Sequence, residues 1–233
     1  MALEEQNAEK PDTSAKDQVA PGTSKELRVP QADSGHTKTT RGSKKMIGAK
    51  KVYAVLTIGA GVGFLASFLQ MLEKITLLKN SDAVLSCNLN SVFSCSNVLN
   101  ASQSSVFGFP NSLLCITFFG LMFSAGLIGF TGSVINRWVR LAYQAMSLFF
   151  VGFGLWYFWQ SIFNIGVLCI YCLFCFGGLL LINWGWLRLN YKDYGLSKKT
   201  TAVVERWINR GTDIFLWCLV ALMIILWAII KFA

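Results

Sequence analysis

Four of the seven cysteines in this 233-residue chain form two pairs that are close in sequence. Cys87 and Cys95 share one polar segment, and Cys169-Ile170-Tyr171-Cys172 is a C-x-x-C motif. Residues i and i+3 lie on one face of a helix, so a C-x-x-C pair can form a disulfide with modest adjustment. Because the thiolate is the nucleophile of thiol–disulfide exchange, two such pairs can take up electrons and pass them on. The spacing therefore predicts redox-active cysteines.

The C-x-x-C motif stands near the start of a long apolar run. At a helix N-terminus the unpaired backbone N–H groups and the positive end of the helix dipole stabilise a thiolate. Cys172 is expected one turn deeper than Cys169, about 5 Å further along the axis at about 1.5 Å per residue. A thiol at that depth meets lipid-soluble molecules. The motif is thus placed to pass electrons from soluble thiols to a lipid quinone.

The other three cysteines lie within apolar runs, where packing is the expected role of a free thiol; they are Cys115, Cys175 and Cys218. Cys175 extends the motif to C-x-x-C-x-x-C, but the fourth cysteine and the following proline of an iron–sulfur signature are absent. Zinc fits poorly because the thiols lie at different depths and no histidine is near. We predict no metal site.

The elements that must hold these thiols are membrane helices. Hydrophobic residues make up 54% of the chain and charged residues 14%, whereas about a quarter of a soluble domain is charged. A membrane helix needs roughly 20 apolar residues. Five uncharged runs meet that length: 52–72, 112–131, 141–163, 167–187 and 214–230. The pattern predicts an all-α integral membrane protein with five spans, and it disfavours a soluble enzyme, a nucleic-acid binder and a disulfide scaffold.

The polar segments between the runs predict the orientation. Basic residues gather before the first run, between the second and third, and between the fourth and fifth, so these three regions are expected in the cytoplasm. The loop 73–111 and the C-terminus are then extracytoplasmic, on the side where disulfides persist. We predict a multi-pass cell (inner) membrane protein. Residues 1–51, which include the lone His36, are predicted to be a disordered cytoplasmic tail before a membrane domain 52–233.

Three motifs together resemble the vitamin K epoxide reductase family, and most closely its bacterial, actinobacterial-like members. They are SCNLNSVFSC at 86–95, VFGFPN at 106–111 and LCIYC at 168–172. The resemblance runs from about residue 52 to residue 187. It implies a four-helix transmembrane bundle around a quinone, capped by the outer loop, with the fifth helix outside the resemblance.

The resemblance also implies a role for each site residue. Cys87 would exchange disulfides with a thioredoxin-fold partner, Cys95 would attack Cys169, and Cys172 would face the quinone and reduce it. Asn111 matches a family asparagine that hydrogen-bonds a quinone carbonyl. Menaquinone or ubiquinone would be the electron acceptor.

One departure from the family pattern bears on the substrate. Vertebrate members carry a tyrosine four residues after the second C-x-x-C cysteine, and this chain has Phe176 there, among the expected quinone-binding residues. Quinone reduction is therefore favoured over epoxide reduction. No thioredoxin domain follows the fifth run, so a separate periplasmic partner of the DsbA type is expected.

The leading hypothesis is a quinone-dependent thiol–disulfide oxidoreductase that reoxidises such a partner and so supports disulfide formation. A vitamin K quinone or epoxide reductase is the alternative within the family. A transporter subunit or scaffold without enzymatic activity is the alternative from another class.

Overall fold

The computed structural model describes residues 36–88 and 92–232. Residues Thr37–Ala233 form one compact unit by their internal contacts. The part of the predicted disordered tail before His36 lies outside the described residues.

The described residues are helical apart from turns, loops and one isolated parallel bridge between Phe93 and Leu168. Seven α-helices follow one another: α1 His36–Lys79, α2 Cys95–Asn100, α3 Asn111–Phe130, α4 Arg137–Gln160, α5 Ile170–Asn190, α6 Lys198–Arg210 and α7 Thr212–Phe232. A 3₁₀ turn, Ser102–Ser105, follows α2, and a π turn, Ser161–Ile165, extends α4.

Four of these helices are long and apolar enough to cross a membrane: α1 over Gly48–Lys79, α3, α4 with its π turn to Ile165, and α5. Over its described side chains, Thr212–Met223, α7 is a shorter apolar helix. The predicted all-α membrane architecture is therefore confirmed. Each of these five helices, α1, α3, α4, α5 and α7, overlaps one of the five predicted runs.

Two helices differ from what the hydropathy pattern indicates. Helix α1 begins at His36, inside the predicted tail, and continues to Lys79, seven residues past the predicted end of the first run. Lysine, glutamate and threonine interrupt the apolar run without breaking a helix, because only proline and glycine strongly oppose helical backbone. Helix α6 occupies a connection for which the sequence analysis predicts no element, since its apolar stripe is short and lies among basic residues.

The core of the bundle lies where α1, α3 and α5 meet, and α4 packs against it. Its buried side chains are Tyr53, Leu56, Ala60, Phe118, Phe119, Met122, Ala125, Leu179, Ile182 and Trp186. Stacking of the Phe118 ring on Phe150, with 4.1 Å between ring centroids, joins α3 to α4.

Glycines bring α1 and α5 into backbone contact. A Cβ on Gly178 would lie 2.5 Å from the carbonyl oxygen of Gly59, and a Cβ on Gly59 would lie 2.8 Å from the Cβ of Leu181. A Cβ on Gly63 would meet the ring of Phe119. Small residues at helix crossings allow this close approach in membranes. Gly59 and Gly63 thus permit close packing, whereas a Cβ on Gly61 would have only ordinary contact distances.

The two ends of the bundle have different chemistry. The loop end carries residues 80–110 and the start of α5, and it contains the four paired cysteines. The basic end carries the α3–α4 turn, the end of α5, α6 and the start of α7. At the basic end Arg140 pairs with Asp193 and hydrogen-bonds Asn190, and Arg188 donates to both oxygens of Asp213, at 2.5 and 2.7 Å.

Candidate functional site

The turn between α4 and α5 places the C-x-x-C motif. The π turn ends at Gly166, whose φ of +77° is a left-handed conformation that favours glycine. The Ser161 hydroxyl donates to the carbonyl of Val167 at 2.5 Å and fixes the segment that leads into α5. Cys169 is the N-cap residue of α5, in extended backbone conformation, and Cys172 lies in the first turn. The predicted position at a helix N-terminus is therefore confirmed.

A two-bond backbone bridge holds the outer loop against this turn. The Leu168 N–H donates to the carbonyl of Val92 at 2.8 Å, and the Ser94 N–H donates to the carbonyl of Leu168 at 3.1 Å. These bonds form the parallel bridge between Phe93 and Leu168. Because Cys95 follows Ser94 and Cys169 follows Leu168, the bridge brings one cysteine of each pair side by side.

The sulfur atoms of the two pairs are close enough for thiol–disulfide exchange. Cys87 and Cys95 are joined by a disulfide, with 5.7 Å between their Cα atoms. The Sγ atoms of Cys95 and Cys169 are 3.2 Å apart, while Cys169 and Cys172 are free thiols. Cys87, Cys95 and Cys169 are all buried in one apolar cluster, which also contains Leu77, Leu85, Val98, Leu99 and Val167. Water is therefore excluded from the point where the pairs meet.

A cavity opens on the other side of the C-x-x-C motif, between the ends of α1, α3, α4 and α5. Its volume is about 80 Å³, several times the roughly 10–15 Å³ that one water needs, so it has room for a planar ring. Seven aromatic side chains line it: Phe118, Phe119, Phe150, Phe153, Tyr157, Phe158 and Phe176. Both Cys169 and Cys172 line it.

Two amides at the cavity have hydrogen-bonding capacity toward a bound molecule. The Asn111 side chain, at the start of α3, donates to the carbonyl of Gln103 at 2.7 Å and accepts from the Val106 N–H at 3.3 Å. The Gln70 side chain, on α1, donates to the Sγ of Cys172 at 3.4 Å. Each NH₂ group has two hydrogens, so one hydrogen bond leaves a second donor.

Lys74 connects the cavity to the loop. Its ammonium donates to the carbonyl of Leu99 at 2.5 Å, and the hydroxyl of Ser104 donates to the same oxygen at 2.6 Å. Leu99 belongs to the last turn of α2, whose first residue is Cys95. A cation at a helix C-terminus is favourable. Lys74 therefore helps to hold α2, and with it Cys95, over the bundle.

All the residues expected at the site lie at the loop end. The four paired cysteines meet there, and Asn111 and Phe176 line the cavity. Gln70 and Lys74 also line the cavity and were not predicted from the sequence. Four residues apart on α1, they share one face of a helix that extends beyond the predicted first run.

The three remaining cysteines do not share one environment. Cys115 and Cys175 pack partly against the bundle core and also line the cavity. The prediction that Cys218 is buried is wrong, because its side chain is exposed on α7. Most of the described side chains of that helix face away from the bundle, which explains the exposure.

Comparison with known families decides the assignment. The family model described as "Vitamin K epoxide reductase family" matches residues 54–184, more than half of the chain and all of the elements that form the site. The chain belongs to the vitamin K epoxide reductase family. No curated protein matches the chain.

Vitamin K epoxide reductase family members are quinone-linked thiol oxidoreductases of the membrane, and they generally work with thioredoxin-like partners. The chemistry of the cavity fits a quinone, because seven aromatic side chains line it together with the amide side chains of Gln70 and Asn111, which can donate hydrogen bonds. Within residues 36–88 and 92–232 no group of three or more histidine, cysteine or acidic side chains could hold a metal ion.

Proposed function

We propose that this protein oxidises the dithiol of a periplasmic, DsbA-like thioredoxin-fold protein and passes the electrons to a membrane quinone. The observation that carries the proposal is the 3.2 Å separation between the sulfurs of Cys95 and Cys169. At that distance the two cysteine pairs can exchange a disulfide without moving the bundle. We further propose that the loop end faces the periplasm and the basic end the cytoplasm.

The first exchange takes place at the outer loop. A thiolate of the partner attacks Cys87 and releases the Cys95 thiolate, and the second partner thiol then displaces Cys87. The partner leaves as a disulfide, and the loop pair is left as two thiols. Cys87 is 3% exposed in the structure, so this step requires the loop to open.

The second exchange takes place between the pairs. The Cys95 thiolate attacks Cys169 of an oxidised Cys169–Cys172 disulfide and releases Cys172 as a thiolate. Cys87 then attacks Cys95, so that the loop disulfide re-forms and Cys169 becomes a thiolate. The structure has the bonding pattern at the end of this exchange, with the loop pair joined and the C-x-x-C pair as free thiols.

The cavity residues complete the reaction. The quinone substrate accepts two electrons and two protons from the C-x-x-C thiols, which regenerates their disulfide. We assign Asn111 to the donation of a hydrogen bond to a quinone carbonyl, Gln70 to the stabilisation of the Cys172 thiolate, and Phe176 to the apolar wall. A hydrogen bond to a charged sulfur contributes about 1.5–3 kcal/mol.

The experiment that tests the proposal follows quinone reduction in proteoliposomes supplied with a reduced DsbA-like protein. We expect Cys172→Ala to abolish turnover, because Cys169 then lacks the partner with which it forms the C-x-x-C disulfide. Cys218→Ala, on the exposed side of α7, is the matched control and retains the parent rate. Turnover of Cys172→Ala at the parent rate would contradict the proposal.

A further inference from the structure

Helix α6 is the most amphipathic of the described helices longer than ten residues, and none of its residues is buried. Its sequence, KKTTAVVERWINR, places four apolar side chains in one half of the helix at 100° per residue; they are Val203, Val204, Trp207 and Ile208. The other half carries the basic side chains Lys198, Lys199, Arg206 and Arg210. Such a composition is typical of helices that lie in a membrane interface.

Three contacts place α6 at the level of the bundle end. The Arg188 guanidinium, in the last turn of α5, donates to the carbonyl of Ile208 at 3.3 Å. Directly after α5, Lys192 and the Tyr191 hydroxyl both reach the carboxylate of Glu205, at 2.8 and 3.2 Å. The α6 helix is thus tied to the end of a membrane span instead of projecting away from it.

The apolar half of α6 is only partly covered by the protein. Val204 and Ile208 are half-buried, whereas Val203 is 50% and Trp207 53% exposed. Since Gly211 alone separates α6 from α7, and both neighbouring helices are apolar, this exposed strip lies beside the boundary of the hydrocarbon layer. Tryptophan is enriched at that depth in membrane proteins.

We propose that α6 lies in the membrane interface and binds acidic phospholipids, with Val203 and Trp207 in the acyl boundary and the basic residues on lipid phosphates. Lys199 and Arg210 lie next to Val203 on the helical wheel, so their stems can cover apolar surface while their charged groups reach the headgroups. The Lys192–Glu205 hydrogen bond, which also raises the pKa of the Lys192 ammonium, neutralises the only carboxylate of α6. The helix therefore presents positive charge, which complements anionic lipid and does not depend on the proposed redox function.

The test measures hydrogen–deuterium exchange of segment 198–210 in the full chain, reconstituted in nanodiscs of phosphatidylcholine with or without phosphatidylglycerol. We expect the acidic lipid to slow exchange of this segment. Lys198→Gln/Lys199→Gln should weaken the affinity for the acidic lipid, and with it that effect, about twenty-fivefold, because each basic residue near an anionic surface contributes roughly fivefold in affinity. Lys50→Gln/Lys51→Gln removes an equivalent lysine pair from α1 and should leave segment 198–210 unchanged.

A second variant tests the apolar strip. Trp207→Ser should speed exchange of segment 198–210 in both lipid mixtures, and Trp207→Phe should restore protection. Quinone reduction stays at the parent rate in all of these variants, so a failure of this inference is distinguishable from a failure of the proposed function.

Three results would overturn the assignment. The first is equal protection with and without phosphatidylglycerol. The second is the same protection by millimolar inorganic phosphate in phosphatidylcholine, which would identify a site for free anions. The third is protection in detergent that rises with protein concentration, which would assign the strip to a second copy of the chain.

Discussion

The two ends of the bundle are held together by different kinds of contact. At the basic end, ion pairs join the helices, with Arg188 on Asp213 and Arg140 on Asp193. At the loop end, two backbone hydrogen bonds of the Phe93–Leu168 bridge and an apolar cluster hold the loop. The two ion pairs are partly buried and lie between segments that the proposed reaction leaves in place, whereas the proposed reaction requires the loop to open at Cys87, which is 3% exposed. We infer that the helices at the basic end keep their positions during turnover, and that the loop at the other end moves to admit the thiol partner.

The largest effect on turnover should come from removing Cys169, the cysteine of the bundle that lies against the loop pair. In Cys169→Ala the loop pair has no electron acceptor, so we expect turnover to fall at least about a thousandfold. The Cys87–Cys95 pair should accumulate as thiols in the presence of a reduced partner, as measured by thiol alkylation and mass spectrometry. A loop pair that stays oxidised under turnover would refute the relay.

An intermediate effect is expected from Gln70, whose amide reaches Cys172 from α1. Gln70→Leu removes a hydrogen bond to the thiolate that leaves when Cys95 attacks Cys169. We expect the rate of electron transfer between the pairs to fall about tenfold or more, measured in single-turnover experiments.

Ser67 provides the matched control, because it lies one turn earlier on α1 and its hydroxyl bonds only backbone carbonyls of its own helix. Ser67→Ala should keep the rate of the parent. An unchanged rate in Gln70→Leu would show that the amide does not act on Cys172.

The smallest effect on turnover is expected at the basic end. Arg188→Leu leaves the Asp213 carboxylate, 8% exposed, without its cation, so the protein should lose about 2–3 kcal/mol of stability. Turnover of the folded fraction should remain within about twofold of the parent. Thermal unfolding in detergent measures the first quantity and quinone reduction the second.

The exposed pair Lys192–Glu205 is the control for that variant, since both side chains are about half exposed. Lys192→Gln should change stability by less than about 1 kcal/mol. A large loss of turnover in folded Arg188→Leu would contradict the inference that the basic end contributes to stability and not to the reaction.

The fold was largely accessible from the sequence, because uncharged runs of membrane length leave few alternatives. Of the candidate site, the four paired cysteines could be predicted from their spacing, and Asn111 from the family motif. Gln70 and Lys74 were not, because hydropathy does not show which face of α1 meets the C-x-x-C motif, and Lys74 lies beyond the predicted first run. The exposure of Cys218 also required the structure, since hydropathy does not reveal which side of an apolar helix meets the bundle.

The Phe93–Leu168 bridge has a consequence for how this protein can diversify. Every hydrogen-bonding atom of the bridge belongs to the main chain, so the bridge itself specifies no side chain. Residues on the outward surface of the loop can therefore be exchanged during evolution while the sulfur of Cys95 still arrives at Cys169. In the proposed relay, the same membrane bundle can thus accept electrons from different thiol proteins while the contact between Cys95 and Cys169 stays unchanged.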